Sequence, residues 1–190
     1  MKSRIPAFAI PGLLALAASV VASPASADGQ DRFRVKLKGF EEVPSVSTVA
    51  SGEFEAKIRG SDEGLVEYEL SYSGLQGTVT QAHIHVAQRS VNGGIVVWLC
   101  QTPGTPAPAA VAAITPMCPL SGTVTGTFTA ANVLAAQPAQ QIVAGELAEV
   151  IAAMRAGVAY ANVHTNLSPG GEIRGQIGDR VSEFLHHLFH

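Results

Sequence analysis

Between residues 32 and 40 (RFRVKLKGF), basic and apolar side chains alternate, and Phe33, Val35 and Leu37 fall on one face. A period of two is that of an extended strand with one dry and one wet face. The segment EEVPSVSTVAS turns around Pro44, and residues 52–60 (GEFEAKIRG) repeat the alternation with Phe54, Ala56 and Ile58 together. Asp62-Glu63-Gly64 has the composition of a hairpin turn. It leads into LVEYELSYSGL, where Val66, Tyr68, Leu70 and Tyr72 alternate against Leu65, Glu67, Glu69 and Ser71. TVTQAHIHVAQ (78–88) reads as a further strand. After Asn92-Gly93-Gly94, IVVWLC (95–100) is apolar throughout, the pattern of a strand buried on both sides. SGTVTGTFT (121–129), VAYANVHT (158–165) and GEIRGQI (171–177) complete the extended segments.

The period changes once. GELAEVIAAMRAG (145–157) sets Leu147, Val150, Ile151 and Met154 on one side, away from Glu146, Glu149 and Arg155, and ends at Gly157. This spacing predicts an amphipathic helix of two to three turns with a glycine stop. About eight short strands and one inserted helix point to an all-β fold, an antiparallel Greek-key sandwich or barrel. A βαβ series would need many more helices. The final EFLHHLFH reads as a short apolar-faced helix or a frayed tail.

The first 27 residues follow a different rule. Lys2 and Arg4 precede an apolar run from Ile5 to Ala22, and Ala25-Ser26-Ala27 closes it. A positive head, an apolar middle and a small-x-small end are the marks of a secretory signal peptide. The run is at the short end for a bilayer span and Pro11 interrupts it. We therefore expect residues 1–27 to be a cleaved leader, 28–178 the folded domain, and 179–190 a histidine-containing tail. No later segment is long and apolar enough to span a membrane, and the location expected is the periplasm or outside the cell.

Composition then narrows the partners. The whole chain has 12 Lys+Arg against 15 Asp+Glu, a formal charge of −3, and Lys2 and Arg4 leave with the leader. An acidic chain without a dense basic cluster argues against nucleic acid. Export makes Cys100 and Cys118 a disulfide candidate. Such a bridge would staple the Pro/Ala/Thr-rich loop between them with a stabilisation on the order of 3 kcal/mol. A P-loop, a dinucleotide fingerprint, G-x-S-x-G and H-E-x-x-H are all missing. Glu67 and Glu69 share one strand face, whereas glycosidase carboxylates oppose one another across a cleft.

The candidate chemistry lies in three of the six histidines. In Gln81-Ala82-His83-Ile84-His85, period two sends both imidazoles to one face and Ile84 to the other. His164 lies in another predicted strand, and if that strand comes close, His83, His85 and His164 form a three-imidazole site. Such a donor set suits copper, zinc, iron or nickel, and copper is favoured at nitrogen sites by the Irving–Williams order. Glu172 and Arg174 share a face of the last strand. They are candidates to orient a ligand imidazole and to guide an anion, or to form a structural charge pair. Asn162 and Thr165 flank His164 as further supporting candidates. His186, His187 and His190 belong to the tail and are set apart from this site.

LKGFEEVPSV, QAHIHVAQRSVNGGIVVWL and AGVAYANVHTNLSPGGEIRGQI, in that order, resemble the CHRD domain family. The likeness covers roughly residues 32–177. It implies a single exported domain of the kind found in many bacterial proteins, and it assigns no defined biochemical role. Gly39, Glu42, Val43 and Pro44 match the opening motif, and His83 and His85 the central one. Tyr160, Asn162, His164, Thr165, Glu172, Arg174 and Gly175 match the closing one. A weaker likeness of architecture is to copper/zinc superoxide dismutase, which implies imidazole-held copper and an anion-guiding arginine, here Arg174. Three functions are thus carried forward. They are a metal-binding module for copper, with zinc or no ion as alternatives; a copper-dependent redox enzyme; and a metal-free interaction module whose sheet edges pair with a protein partner or another copy.

Overall fold

The computed structural model describes residues 32–60 and 62–178. The proposed leader and the histidine tail lie outside the described residues. Eight strands form one antiparallel sheet: β1 (Arg32–Lys38), β2 (Ser51–Arg59), β3 (Leu65–Ser73), β4 (Val79–Val86), β5 (Gly94–Cys100), β6 (Gly122–Phe128), β7 (Ala159–Thr165) and β8 (Ile173–Ile177). Their order across the sheet is β5-β4-β7-β8-β1-β2-β3-β6. The sheet curls into a nearly closed barrel around one apolar core, to which Phe33, Leu37, Phe54, Leu70, Ile84, Val163 and Ile173 contribute.

The two terminal strands, β5 and β6, leave a seam that side chains bridge instead of a ladder. From β3, the Tyr68 hydroxyl donates to the Leu99 carbonyl at 2.6 Å, and the Tyr72 hydroxyl donates to Pro119 at 2.6 Å. The Cys100–Cys118 disulfide ties the end of β5 to the approach of β6, as the cysteine reading expected. The outer edge of β5 also accepts one backbone bond, from Leu134 N–H to Val96 at 2.9 Å.

Helix α1 (Leu147–Arg155) buries Leu147, Val150, Ile151 and Met154 in the same core. Its end follows from Gly157, whose φ of +72° a side chain would strain. The Gly157 and Val158 N–H groups bond back to Met154 and Ala153, which satisfies carbonyls that have no partner within the helix. The chain then enters β7 directly, so the glycine stop sets where the strand bearing His164 begins.

Strands β1, β2 and β3 have one wet face each, whereas β7 and β8 are buried at every position. The reason is a second covering layer on the outside of the barrel. Its loops reach the strands at discrete contacts: Gly93 bonds to His85, Val91 to Arg174, Pro169 to His164 and Thr48 to Glu172, while the 101–117 loop packs on Trp98. Part of that cover is a small apolar cluster in which Trp98 meets Ala107 and Val111 of the disulfide-bounded loop. The polar side chains that these contacts reach are therefore buried outside the barrel, beneath the loops.

Candidate metal centre

Strand register assembles the site. Across β5, β4, β7 and β8, one row of cross-strand partners is Trp98, His83, Asn162 and Arg174, and the next is Ile95, His85, Tyr160 and Gln176. His164 pairs with Gln81, which makes it the diagonal neighbour of His83. Ile84 points the other way, into the barrel core. The H-x-H pattern and His164 are thus brought to one place on the outer face. All three histidines are buried, with exposures of 0% for His83, 7% for His85 and 6% for His164. Ring centroids lie 5.4 Å apart for His83–His85, 4.8 Å for His83–His164 and 6.2 Å for His85–His164.

The outward nitrogens of two rings are fixed by backbone carbonyls. His85 Nδ1 donates to Gly93 at 3.0 Å, and His164 Nδ1 donates to Pro169 at 2.9 Å. Each bond selects the tautomer whose Nε2 carries a bare lone pair, the form that binds a metal. One nitrogen from each of the three rings can be chosen so that all lie within 4.8 Å of one another. His83 Nδ1 stands 3.1 Å from His164 Nε2, and Asn162 places Oδ1 3.0 Å from that same Nε2, where an amide turned to present Nδ2–H would donate to its lone pair. Two imidazole nitrogens each about 2.0–2.1 Å from one ion, at angles near 90–110°, would stand roughly 2.9–3.4 Å apart. The His83–His164 spacing fits a shared ion as well as an N–H···N hydrogen bond, and within the 4.8 Å spread of the three nitrogens the rings must draw in by several tenths of an ångström to share one ion. Two further nitrogens, His83 Nε2 and His85 Nε2, are buried without any hydrogen-bond partner in the protein. Buried polar atoms left in this way cost stability unless something binds them, and an ion beside these rings can take His85 Nε2 but only one of the two nitrogens of His83.

Electrostatics keep the ligands ready. Burial pushes His83 well below its ordinary pKa, helped by the neighbouring His164 and His85. Burial lowers His85 to about 4 against the opposing bond to Gly93, and lowers His164 as well. All three rings are neutral at physiological pH, so an ion has no proton to displace.

Around this centre the supporting residues have distinct tasks. Tyr160 stacks flat on His85, with centroids 4.7 Å apart and planes within 1°. The Arg174 guanidinium lies 3.3 Å from the centroid of the Tyr160 ring. Arg174 is 1% exposed and donates to the Val91 carbonyl at 2.9 Å and to Asn92 Oδ1 at 3.2 Å. It thus lies beneath the 88–93 loop and braces it, away from any open mouth. Glu172, also 1% exposed, accepts from Thr48 Oγ1 (2.9 Å), Gln76 N–H (2.7 Å), Gly77 N–H (3.3 Å) and Thr165 Oγ1 (2.8 Å). It pins two loops, at Thr48 and at Gln76–Gly77, to the end of β7 beside His164 and makes no contact with a ligand imidazole nitrogen. Thr165 serves that pin, and Asn162 faces the histidines directly.

Three contributors were not visible as site residues in sequence. Trp98 stands edge-on to His83, with centroids 4.3 Å apart, and covers it. Gly93 places its N–H 3.3 Å from the Tyr160 hydroxyl while its carbonyl holds His85. A Cβ at Gly93 would run into the Val86 carbonyl, so only glycine lets the loop approach this closely. Glu42 is 4% exposed, and its Oε1 has no hydrogen-bond partner. Burial raises its carboxyl to about 7, although Arg174 pulls in the opposite direction. The glycine pairs of NGG and PGG were the available signals, since both mark loops that fold back over the ligands.

Comparison with known proteins agrees with the sequence motifs and goes no further. No curated protein and no solved structure matches the chain. The model of the CHRD domain matches residues 33–177, from the first strand to the last, and includes all three histidines. This chain belongs to the CHRD domain family.

Proposed function

We propose that this protein is an exported metal-binding domain that holds a copper ion through His83, His85 and His164. The observation that carries the reading is that one nitrogen from each of three buried rings lies within 4.8 Å of the others, while Nδ1–H bonds to backbone carbonyls fix the orientation of His85 and His164. Three imidazole donors suit copper, zinc, iron or nickel, and the Irving–Williams order favours copper among the divalent ions. Export rests on the N-terminal charge and hydropathy pattern and is supported by the Cys100–Cys118 bridge, a bond that persists in oxidising compartments. When bound, copper would supply a Lewis-acidic and redox-capable centre. The protein's own residues keep three rings neutral, fix their orientation and exclude water from them.

The test is metal analysis of the tag-free protein beside a His83→Ala/His85→Ala double variant and a form lacking residues 179–190. The expected result is one copper per chain in the wild type and in the truncated form, with none held tightly by the double variant. Uptake that survives in the double variant and disappears with the tail would overturn the proposal.

A further inference from the structure

We propose that the centre is selective for monovalent copper over divalent copper and zinc, and that Arg174 is a residue that sets this selectivity. This rests on the three-histidine reading above. The argument concerns charge. Each of the three donors is a neutral ring, and among the described residues no carboxylate or cysteine joins their cluster. The two rings with fixed tautomers donate to the carbonyls of Gly93 and Pro169. A carboxylate in either position would lend the ring negative character, which a carbonyl does not. An ion held here therefore keeps its whole formal charge.

That charge is placed where water cannot offset it, since the rings are 0%, 7% and 6% exposed. The cost of burying an ion climbs steeply with its charge. Arg174 adds a fixed cation, 1% exposed and coupled to His85 through the ring of Tyr160. Its repulsion toward a divalent ion is twice that toward a monovalent one. Of the two buried carboxylates, burial raises Glu42 to about 7, so it offsets Arg174 only in part, and Glu172 is turned to four donors of its own and reaches no ligand nitrogen. Coordination number points the same way. Three nitrogens satisfy Cu(I), whereas a divalent ion ordinarily requires a fourth ligand, and Trp98 covers His83 edge-on.

The experiment is a competition on the intact protein. Cu(I), kept reduced with ascorbate under anaerobic conditions, is titrated against bathocuproine disulfonate, and Cu(II) and Zn(II) are each titrated against a chelator of matched strength. The expected result is Cu(I) held at least a thousandfold more tightly than either divalent ion. Arg174→Gln should narrow that gap on the order of tenfold, and Arg174→Lys should largely restore it. Equal affinities within tenfold in the wild type would overturn the inference while leaving the metal centre standing. An Arg174→Gln protein that binds one metal per chain with an unchanged gap would remove Arg174 from it. Failure to bind any of the three ions would instead overturn the proposed function. The wild-type comparison decides the main point even where the Arg174 variants do not fold.

Discussion

The imidazole of His85 and the phenol of Tyr160 lie parallel within 1° at 4.7 Å, and Arg174 rests 3.3 Å from the centroid of the same phenol ring. One side chain thus supports a candidate ligand and a buried cation together. Tyr160→Ala should destabilise the protein by about 3–5 kcal/mol and weaken copper binding, because both neighbours lose a packing surface. Tyr160→Phe keeps the ring and loses the hydroxyl near the Gly93 N–H, so it should cost about 1 kcal/mol and leave metal stoichiometry intact. Urea unfolding with a metal titration checks both variants. Equal losses in the two would mean that the hydroxyl, and not the stack, is what matters.

Glu172 should be the acid-sensitive pin of the covering loops. Burial would raise its carboxyl, but bonds from Gln76, Thr165, Thr48 and Gly77 outweigh that and hold it below the ordinary range. Its folded value is depressed, so its contribution is present above the unfolded value and lost as pH falls through the folded one. Glu172→Gln should cost about 2–4 kcal/mol at pH 7, since it removes a charged acceptor from several donors. The difference from wild type should shrink as both proteins are unfolded at progressively lower pH. A gap that stays constant across pH 3–7 would exclude ionisation as the cause.

The histidines should make the ion-free protein acid-labile in a higher window. His85 titrates at about 4 when folded, against an ordinary value of 6.5. Between these values the unfolded chain binds the extra proton, so stability falls as pH drops from 6.5 toward 4. The contribution of His85 alone is about 3 kcal/mol across that window. His85→Phe should flatten the slope of stability against pH, and an unchanged slope would count against a buried neutral ring. Copper should also stay bound to a lower pH than it does on exposed imidazoles.

Removing the disulfide should affect stability more than the site. Cys100→Ala/Cys118→Ala opens a link spanning 18 positions in sequence and should lower unfolding free energy by about 3 kcal/mol. His83, His85 and His164 lie on the β4–β7 ladder and not at the seam, so one copper per chain should still bind. Thermal melts and metal analysis of the double variant test the two halves separately. Loss of copper in a folded variant would mean that the stapled loop, through Trp98, is part of the site.

Much of the barrel was legible because alternation is a local property. Phe33, Leu37, Phe54, Val66 and Leu70 face the core as their spacing implied, and the helix buries the four residues its period selected. His83 and His85 were legible for the same reason, since two positions on one strand must share a face. What alternation cannot show is which face becomes dry when loops fold over it. The outer face of β7 and β8 is polar in sequence and fully buried in the fold, so Arg174 and Glu172 read as a charge pair or as helpers of a ligand and an anion, and not as braces of covering loops. Their partners, Val91, Asn92, Thr48 and Gln76, lie about 80 to 125 residues away in loops without a period. Glu42 was hidden in the same way, because its burial comes from a tertiary cover that no local pattern encodes.

The distance along the chain between the ligands also governs when the centre can exist. His83 and His164 are 81 residues apart, and β5, β6 and α1 lie between their strands in the chain. During synthesis the H-x-H pair emerges long before its third partner, and two imidazoles on an unpaired strand make a weak, exchangeable site. Closing so long a loop has an entropic cost that only the assembled sheet offsets. An ion held by all three rings therefore reports that β7 has docked against β4. Tight retention of metal would distinguish a finished barrel from every shorter or misregistered intermediate.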